Sequence, residues 1–369
     1  MDRNRFIDAK RIVVKVGTSV LASGDGGLDR KWFDDFSRQV GGLIKERKKE
    51  IIIVSSGAIA AGMHLLGMKK RPRTLPEQQA CAAIGQGLLI NAYRDSFEKE
   101  GLCVAQILLT REDIRDRHRY LNAENTLRTL LDKSIVPIIN ENDTVAIEEI
   151  KFGDNDTLSA LSANLVGAEL LIILTDVEGF RLPQKKEYLD IVKEIDFLIE
   201  KSAGLASSEY STGGMKTKLE ACKICMSSGI YCVIANGRRK NVLVDILNGE
   251  RIGTLFVPKK ARLKARKRWV AYNARPRGRI IVDEGARSAL VEKHSSLLAC
   301  GVKSVEGDFS YGDVVSIVSI EGVEFARGLS NYSSTNLEKI KGKNTKEAEK
   351  ILKENFYEEV VHRDNLVIL

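Results

Sequence analysis

Apolar, strand-like runs recur along the first two thirds of the chain, at residues 12–16, 51–54, 104–109, 135–139, 170–174 and 231–235. Largely apolar rather than alternating, they predict strands buried on both faces, as in a parallel sheet covered by helices. Between them, residues 32–47, 78–99, 158–168 and 217–228 repeat apolar positions at helical spacing, so the chain follows a βαβα order over 1–258. After a Pro/Gly break at 274–278 the pattern changes to short strands separated by Gly-Asp and Glu-Gly turns. The expected organisation is an α/β domain over 1–258, a linker over 259–277 and a small β-rich domain over 278–369.

Polar residues gather where the apolar runs end. The first run contains Lys15 and is followed by Gly17, Thr18 and Ser19. An ammonium inside an Ile/Val run either emerges at a sheet edge or meets an anion, and the small hydroxyl residues beside it favour a phosphate. The second run leads into Ser56-Gly57-Ala58 at the start of a helix, where backbone N–H groups can receive a carboxylate or phosphate, or Ser56 can simply cap the helix. The fourth run opens onto NENDTVAIEEIKFGDND at 140–156, two Asn/Asp clusters on either side of an acidic loop. Each cluster taken alone fits a turn or helix cap. Two of them beside one strand end fit a ligand crevice at the carboxyl ends of the strands.

The fifth run ends in Thr175-Asp176, and STGGMKTK at 211–218 opens a further helix with two glycines, hydroxyls and two lysines. That combination suits a polyphosphate, although the chain has no GxxxxGK[ST] and so no P-loop. Lysines, small hydroxyl residues and Asp/Asn groups around one crevice match phosphoryl transfer, where positioning and charge neutralisation matter more than a catalytic base. His64 and His118 sit in no hydrolase-like pattern. The mixed charges of 111–120 read as a solvated surface or subunit contact.

Composition narrows the classes. With 43% hydrophobic and 29% charged residues the chain can bury a sizeable core, and no apolar run approaches the roughly 18 residues of a membrane span. The charged start, without an apolar leader, fits a cytoplasmic protein with no membrane partner. Six scattered cysteines suit a reducing compartment. Cys222 and Cys225 form a CxxC inside a helical pattern with no second half to complete a zinc site, so no metal ligands are assigned. The net charge of +8 comes from one segment, since ten basic and no acidic residues lie between Lys259 and Arg279. A nucleic-acid contact and a solvated helix face both fit it.

VVKVGTSVL, VSSGAIAAG, LLTREDIRDRHRYLNA, IVPIINENDTV, KFGDNDTLSA, LLIILTDVEG and TGGMKTKL, in that order, resemble the amino acid kinase family, and within it the glutamate 5-kinases. The resemblance covers nearly the whole chain. It implies an αβα sandwich around an open, mostly parallel sheet, and transfer of the γ-phosphoryl group of ATP, as its Mg2+ complex, to the side-chain carboxylate of L-glutamate. That reaction starts proline biosynthesis and is typically inhibited by proline. By the same resemblance Lys15 and Lys218 contact the phosphates, and Asp156 holds the two ammonium groups. Ser56, Asp143 and Asn155 look like glutamate contacts, with Asn140 a further one. Thr175, Asp176, Thr212, Gly213, Gly214, Met215, Lys216, Thr217 and Lys218, with Lys15, look like nucleotide contacts. The stretch 179–186 departs from the Gly-Leu-Tyr and following Asp-Pro usual beside the nucleotide base. A homo-oligomer, dimer or tetramer, is implied, as is handover of the reactive acyl phosphate to a reductase.

GRIIVDEGARSAL, SSLLACGVKSVEGDFSYGDVVSIV and ARGLSNYSS resemble a PUA domain, a module found in RNA-modifying enzymes, which brings RNA binding into view. Two alternatives stay open on the sequence: an amino acid kinase acting on aspartate or acetylglutamate, and an RNA-binding or regulatory protein on a kinase scaffold.

Overall fold

In the computed structural model the apolar runs become the middle of an eight-stranded sheet. The structure describes residues 3–145, 155–183, 187–205, 214–258, 270, 274–353 and 357–369. The strands are β1 (Arg11–Val16), β2 (Glu50–Ser55), β3 (Val104–Leu109), β4 (Val136–Glu141), β5 (Leu170–Thr175), β6 (Ile191–Val192), β7 (Tyr231–Asn236) and β8 (Thr254–Phe256), in the spatial order β3-β4-β2-β1-β5-β7-β8-β6. All neighbours are parallel except β7 and β8. The chain builds outward from β1 to one side, then returns across it to β5 on the other. The carboxyl ends of β1 and β5 therefore form the switch point where such sheets bind ligands.

The helices that matter here are α1 (Arg30–Arg47), α2 (Ala58–Leu65), α3 (Leu75–Lys99), α4 (Asn155–Val166) and α5 (Met215–Ser227). One face of β1, with Ile12, Val14 and Val16, joins Phe33, Phe36, Tyr93 and Phe97 of α1 and α3 in a single apolar core. Lys15 alternates onto the other face. Helix α4, expected to begin near Leu158, begins at Asn155, so Asn155 and Asp156 lie in its first turn rather than in the preceding loop. All twelve of its residues are buried, Ser159, Ser162 and Asn164 among them.

Helices α2 and α3 approach closely because both carry glycine at the contact. A Cβ on Gly62 would lie 1.9 Å from the Cys81 carbonyl oxygen, and one on Gly85 would lie 1.8 Å from that of Ala58. Cys222 and Cys225 are both buried, and the Cys222 Sγ lies 3.3 Å from that of Cys232, so the CxxC is core packing.

The chain divides into two compact units, Met1–Ile114 with His118–Arg262, and Arg115–Arg117 with Leu263–Leu369. The second has its own core, including Ile280, Val315, Ile317, Leu337 and Val361, and its own five-stranded sheet. Its strands β9 (Gly278–Val282), β10 (Val302–Gly307), β11 (Val314–Val318), β12 (Glu324–Leu329) and β13 (Leu366–Ile368) run in the order β10-β9-β11-β12-β13. Gly322, at φ 83°, turns β11 into β12 as the Glu-Gly signal predicted. Most of the basic segment, residues 259–269 and 271–273, lies outside the described residues. Among the described residues no helix is long and apolar enough to cross a membrane.

Candidate active site

Lys15 stands in the centre of the sheet, in register with Val54 of β2 and Ile173 of β5, and is 4% exposed. Emergence at a sheet edge is thereby excluded. Its Nζ lies 2.7 Å from Oδ1 of Asp156, in the first turn of α4. Gly17 leaves room for the ammonium, since a Cβ there would sit 3.6 Å from Nζ and 3.3 Å from the Leu174 carbonyl oxygen.

Asp156 has no exposed surface. Its Oδ2 accepts from Thr217 Oγ1 at 2.7 Å and from Lys218 Nζ at 3.3 Å, both in the first turn of α5. Burial would push the Asp156 carboxyl up, but Lys15 and Lys218 outweigh it and hold the carboxyl below its ordinary value. Burial pushes the Lys218 ammonium down, opposed by Asp156 and assisted by Lys15. Lys15 and Lys218 thus share the Asp156 carboxylate. The first-turn N–H groups of α4 and α5, which pack against each other, have no intrahelical acceptors and add to a local preference for an anion.

Of the remaining residues expected at the nucleotide, Thr175, Asp176, Gly214, Met215, Lys216 and Thr217 lie on the same strand and helix ends. Thr175 is buried and donates from Oγ1 to Oδ1 of the exposed Asp176 at 3.0 Å. Asp176 is near enough to Lys218 to oppose the lowering of its pKa. Gly214 and Met215 are half-buried at the start of α5, and Lys216 is exposed. The Thr217 hydroxyl is taken up by Asp156 and the Gly214 carbonyl. Thr212 and Gly213 lie outside the described residues. In the atypical stretch after Asp176, Phe180 is buried and its N–H donates to Thr254 Oγ1 at 2.8 Å, which ties that stretch to β8.

A second group of polar residues gathers at the ends of β2 and β4. Ser56 is half-buried, and its N–H donates to the Val16 carbonyl at 3.0 Å. Gly57, at φ 101°, then turns the chain into α2, a conformation that favours glycine. Asn140 is 1% exposed. Its Oδ1 accepts the Glu141 N–H at 2.9 Å, and its Nδ2 donates to Oε1 of Gln86 on α3 at 2.6 Å. Two buried polar atoms, Asn155 Oδ1 and Gln86 Nε2, have no hydrogen-bond partner. Such an orphan costs about 1–3 kcal/mol unless a ligand satisfies it.

Burial raises the Asp143 carboxyl to about 6, with Arg71 opposing. Burial also raises Glu141 to about 7, with Asp143 adding to the effect and Arg111 opposing it. Sequence reasoning passed over Gln86, Glu141 and Arg71. A polar residue between two glycines in AIGQGLL was the only local sign of Gln86, and its contact to Asn140 spans 54 positions.

A mostly parallel sheet with two buried lysines on one carboxylate beside its switch point is the arrangement expected above for phosphoryl transfer. The family model for the amino acid kinase family matches residues 10–236, and the chain belongs to that family. Within it, the chain groups with the glutamate 5-kinases. It is 51% identical to the glutamate 5-kinase of Thermoanaerobacter sp. (strain X514), over 97% of this chain and 98% of the relative. It is 46% identical to that of Citrifermentans bemidjiense, over 98% of each chain. The PUA domain model matches residues 278–352. A solved carbamate kinase from Giardia lamblia bound to AMP-PNP is similar over 69% of this chain and all of that one, at 18% identity and a TM-score of 0.49.

Proposed function

We infer that this enzyme transfers the γ-phosphoryl group of ATP to the side-chain carboxylate of L-glutamate, giving L-glutamate 5-phosphate and ADP, the reaction that opens proline biosynthesis. The observation that carries this is the buried Lys15–Asp156–Lys218 bridge, which brings two lysine side chains onto one carboxylate. A carboxylate oxygen of the substrate attacks the γ-phosphorus, a new P–O bond forms, and the bond to the β,γ-bridging oxygen breaks with its electron pair leaving on ADP. The nucleophile is already ionised at neutral pH, so no general base is required. The lysines neutralise the charge developing on the transferring group and the leaving oxygen.

Asp143, ionised above about pH 6, suits the substrate's ammonium group, while Ser56 and the N–H groups opening α2 suit its α-carboxylate. Asn155 and Asn140 supply the remaining amides beside it. Proline carries the same ammonium and carboxylate pair, so a site built for the backbone end of glutamate also receives proline as an inhibitor. Mg2+ bound with the nucleotide would neutralise its phosphate oxygens. Among the described residues no three His, Cys, Asp or Glu side chains converge as a metal cage, and Asp156 is engaged by two ammonium groups. Asp176, exposed at the end of β5, would be a carboxylate able to hold the ion.

The test is acyl-phosphate formation, trapped as a hydroxamate, from ATP, Mg2+ and hydroxylamine with L-glutamate, L-aspartate or N-acetyl-L-glutamate. Product from glutamate alone is expected, and added proline should suppress it. Turnover of aspartate or acetylglutamate in preference to glutamate would assign the chain to another branch of the family.

A further inference from the structure

Resting on the acceptor reading just given, we propose that Gln86 is a specificity-determining residue that donates a hydrogen bond from Nε2 to the α-carboxylate of the amino-acid substrate. The orientation of its amide follows from a chain of contacts that begins at the backbone. The Glu141 N–H can only donate, so it fixes Oδ1 of Asn140 towards itself, at 2.9 Å. The Asn140 Nδ2 must then face Gln86, and at 2.6 Å it requires Oε1 of Gln86 as its acceptor. The Gln86 Nε2 is left pointing elsewhere as a donor, and it is buried without a protein partner.

The position of Gln86 matches this role. Gly85, next to it, presses α3 against the first turn of α2, the turn that follows Ser56 and Gly57. Asn140, near the end of β4, holds the amide of Gln86 by its Oε1. The substrate brings two carboxylates. The one that is phosphorylated goes to Lys15 and Lys218, so the acceptor that meets a neutral amide donor is the other. An amide selects for an oxygen acceptor there and against an ammonium or an apolar group.

Gln86→Glu and Gln86→Met separate this role from a structural one. The glutamate variant keeps an acceptor for Asn140 and replaces the free donor with a carboxylate oxygen; the methionine variant keeps only the length. With the purified full chain, both should raise the KM for L-glutamate about tenfold or more, the scale for a hydrogen bond to a charged group, and leave the KM for ATP within about twofold. Discrimination between L-glutamate and 4-aminobutyrate, which lacks the α-carboxylate, should fall by the same factor in Gln86→Met. Gln86→Asn, which keeps an amide but retracts it, should be less impaired than Gln86→Met when assayed at high glutamate. An unchanged KM for glutamate in Gln86→Glu, or equal rises in both KM values, would overturn the assignment. If the unaltered chain phosphorylates no glutamate, it is the acceptor reading itself that fails.

Discussion

At Asp156 one carboxylate answers two ammonium groups in a volume with no exposed surface, and the two kinds of charge do not have equal consequences. Asp156→Asn removes the carboxylate that Lys15 and Lys218 both contact; breaking a buried pair in this way costs about 3–5 kcal/mol. Lys218→Met leaves a neutral Lys15–Asp156 pair and relieves a like-charge contact, so it should cost far less stability. Its effect should fall on turnover, with kcat down about 10²–10³-fold, the scale for losing one group that stabilises developing charge. Urea unfolding and steady-state rates on both variants check this, and a Lys218→Met protein less stable than Asp156→Asn would contradict the charge arrangement. Glu141 makes an opposite case. Its carboxyl is raised from 4.5 to about 7 by burial and by Asp143, so between those values the folded chain holds more protons than the unfolded one. Stability from this group is complete below about pH 4.5 and is lost as pH rises through 7. Glu141→Gln should therefore flatten that slope and be the more stable form at pH 8, by about 1–3 kcal/mol. Equal urea midpoints at pH 8 would argue against a buried charge there.

The elements differ in how much of them was legible beforehand. β1, β2, β4, β5 and β7 lie where apolar runs predicted them, because a strand covered on both faces has few polar positions to disguise it. β6 and β8, of two and three residues, are too short to show any period. The start of α4 was misread because its first residues are polar yet buried, their partners Lys15, Thr217 and Lys218 coming from elements remote in sequence. Ser56, Asp156 and Lys218 could be proposed through local motifs, whereas Gln86 could not, since its contact with Asn140 spans 54 positions. That packing makes its own prediction. Gly85→Ala would push a Cβ to 1.8 Å from the Ala58 oxygen and 2.5 Å from the Gly62 nitrogen, both backbone atoms that cannot rotate away. Overpacking of this kind costs about 1–3 kcal/mol, and displacement of α3 should raise the KM for glutamate more than that for ATP. Gly87→Ala, two residues on with nothing within 4 Å, should instead gain about 0.5–1 kcal/mol of helix stability. Thermal unfolding of the pair provides the comparison, and equal shifts would show that helix propensity rather than the interhelical contact dominates.

Across the whole molecule, two separate cores with two separate sheets lead to a statement about linkage rather than about any one contact. Substrates that bind one unit stabilise that unit directly, by about 2.7 kcal/mol at one hundred times the dissociation constant. The residues read as donor and acceptor contacts, from Lys15 to Lys218, all belong to the first unit. If the two units unfold independently, calorimetry of the full chain resolves two transitions, and a non-hydrolysable ATP analogue with Mg2+ and L-glutamate raises only one of them. The shift should be about 5–10 °C for a unit of this size. The other transition, from the unit matched by the PUA domain model, should stay where it is with these ligands and respond only to partners of its own. A single transition that moves as a whole would mean that the second unit shares in the free energy of substrate binding, and that its role is coupled to catalysis rather than carried alongside it.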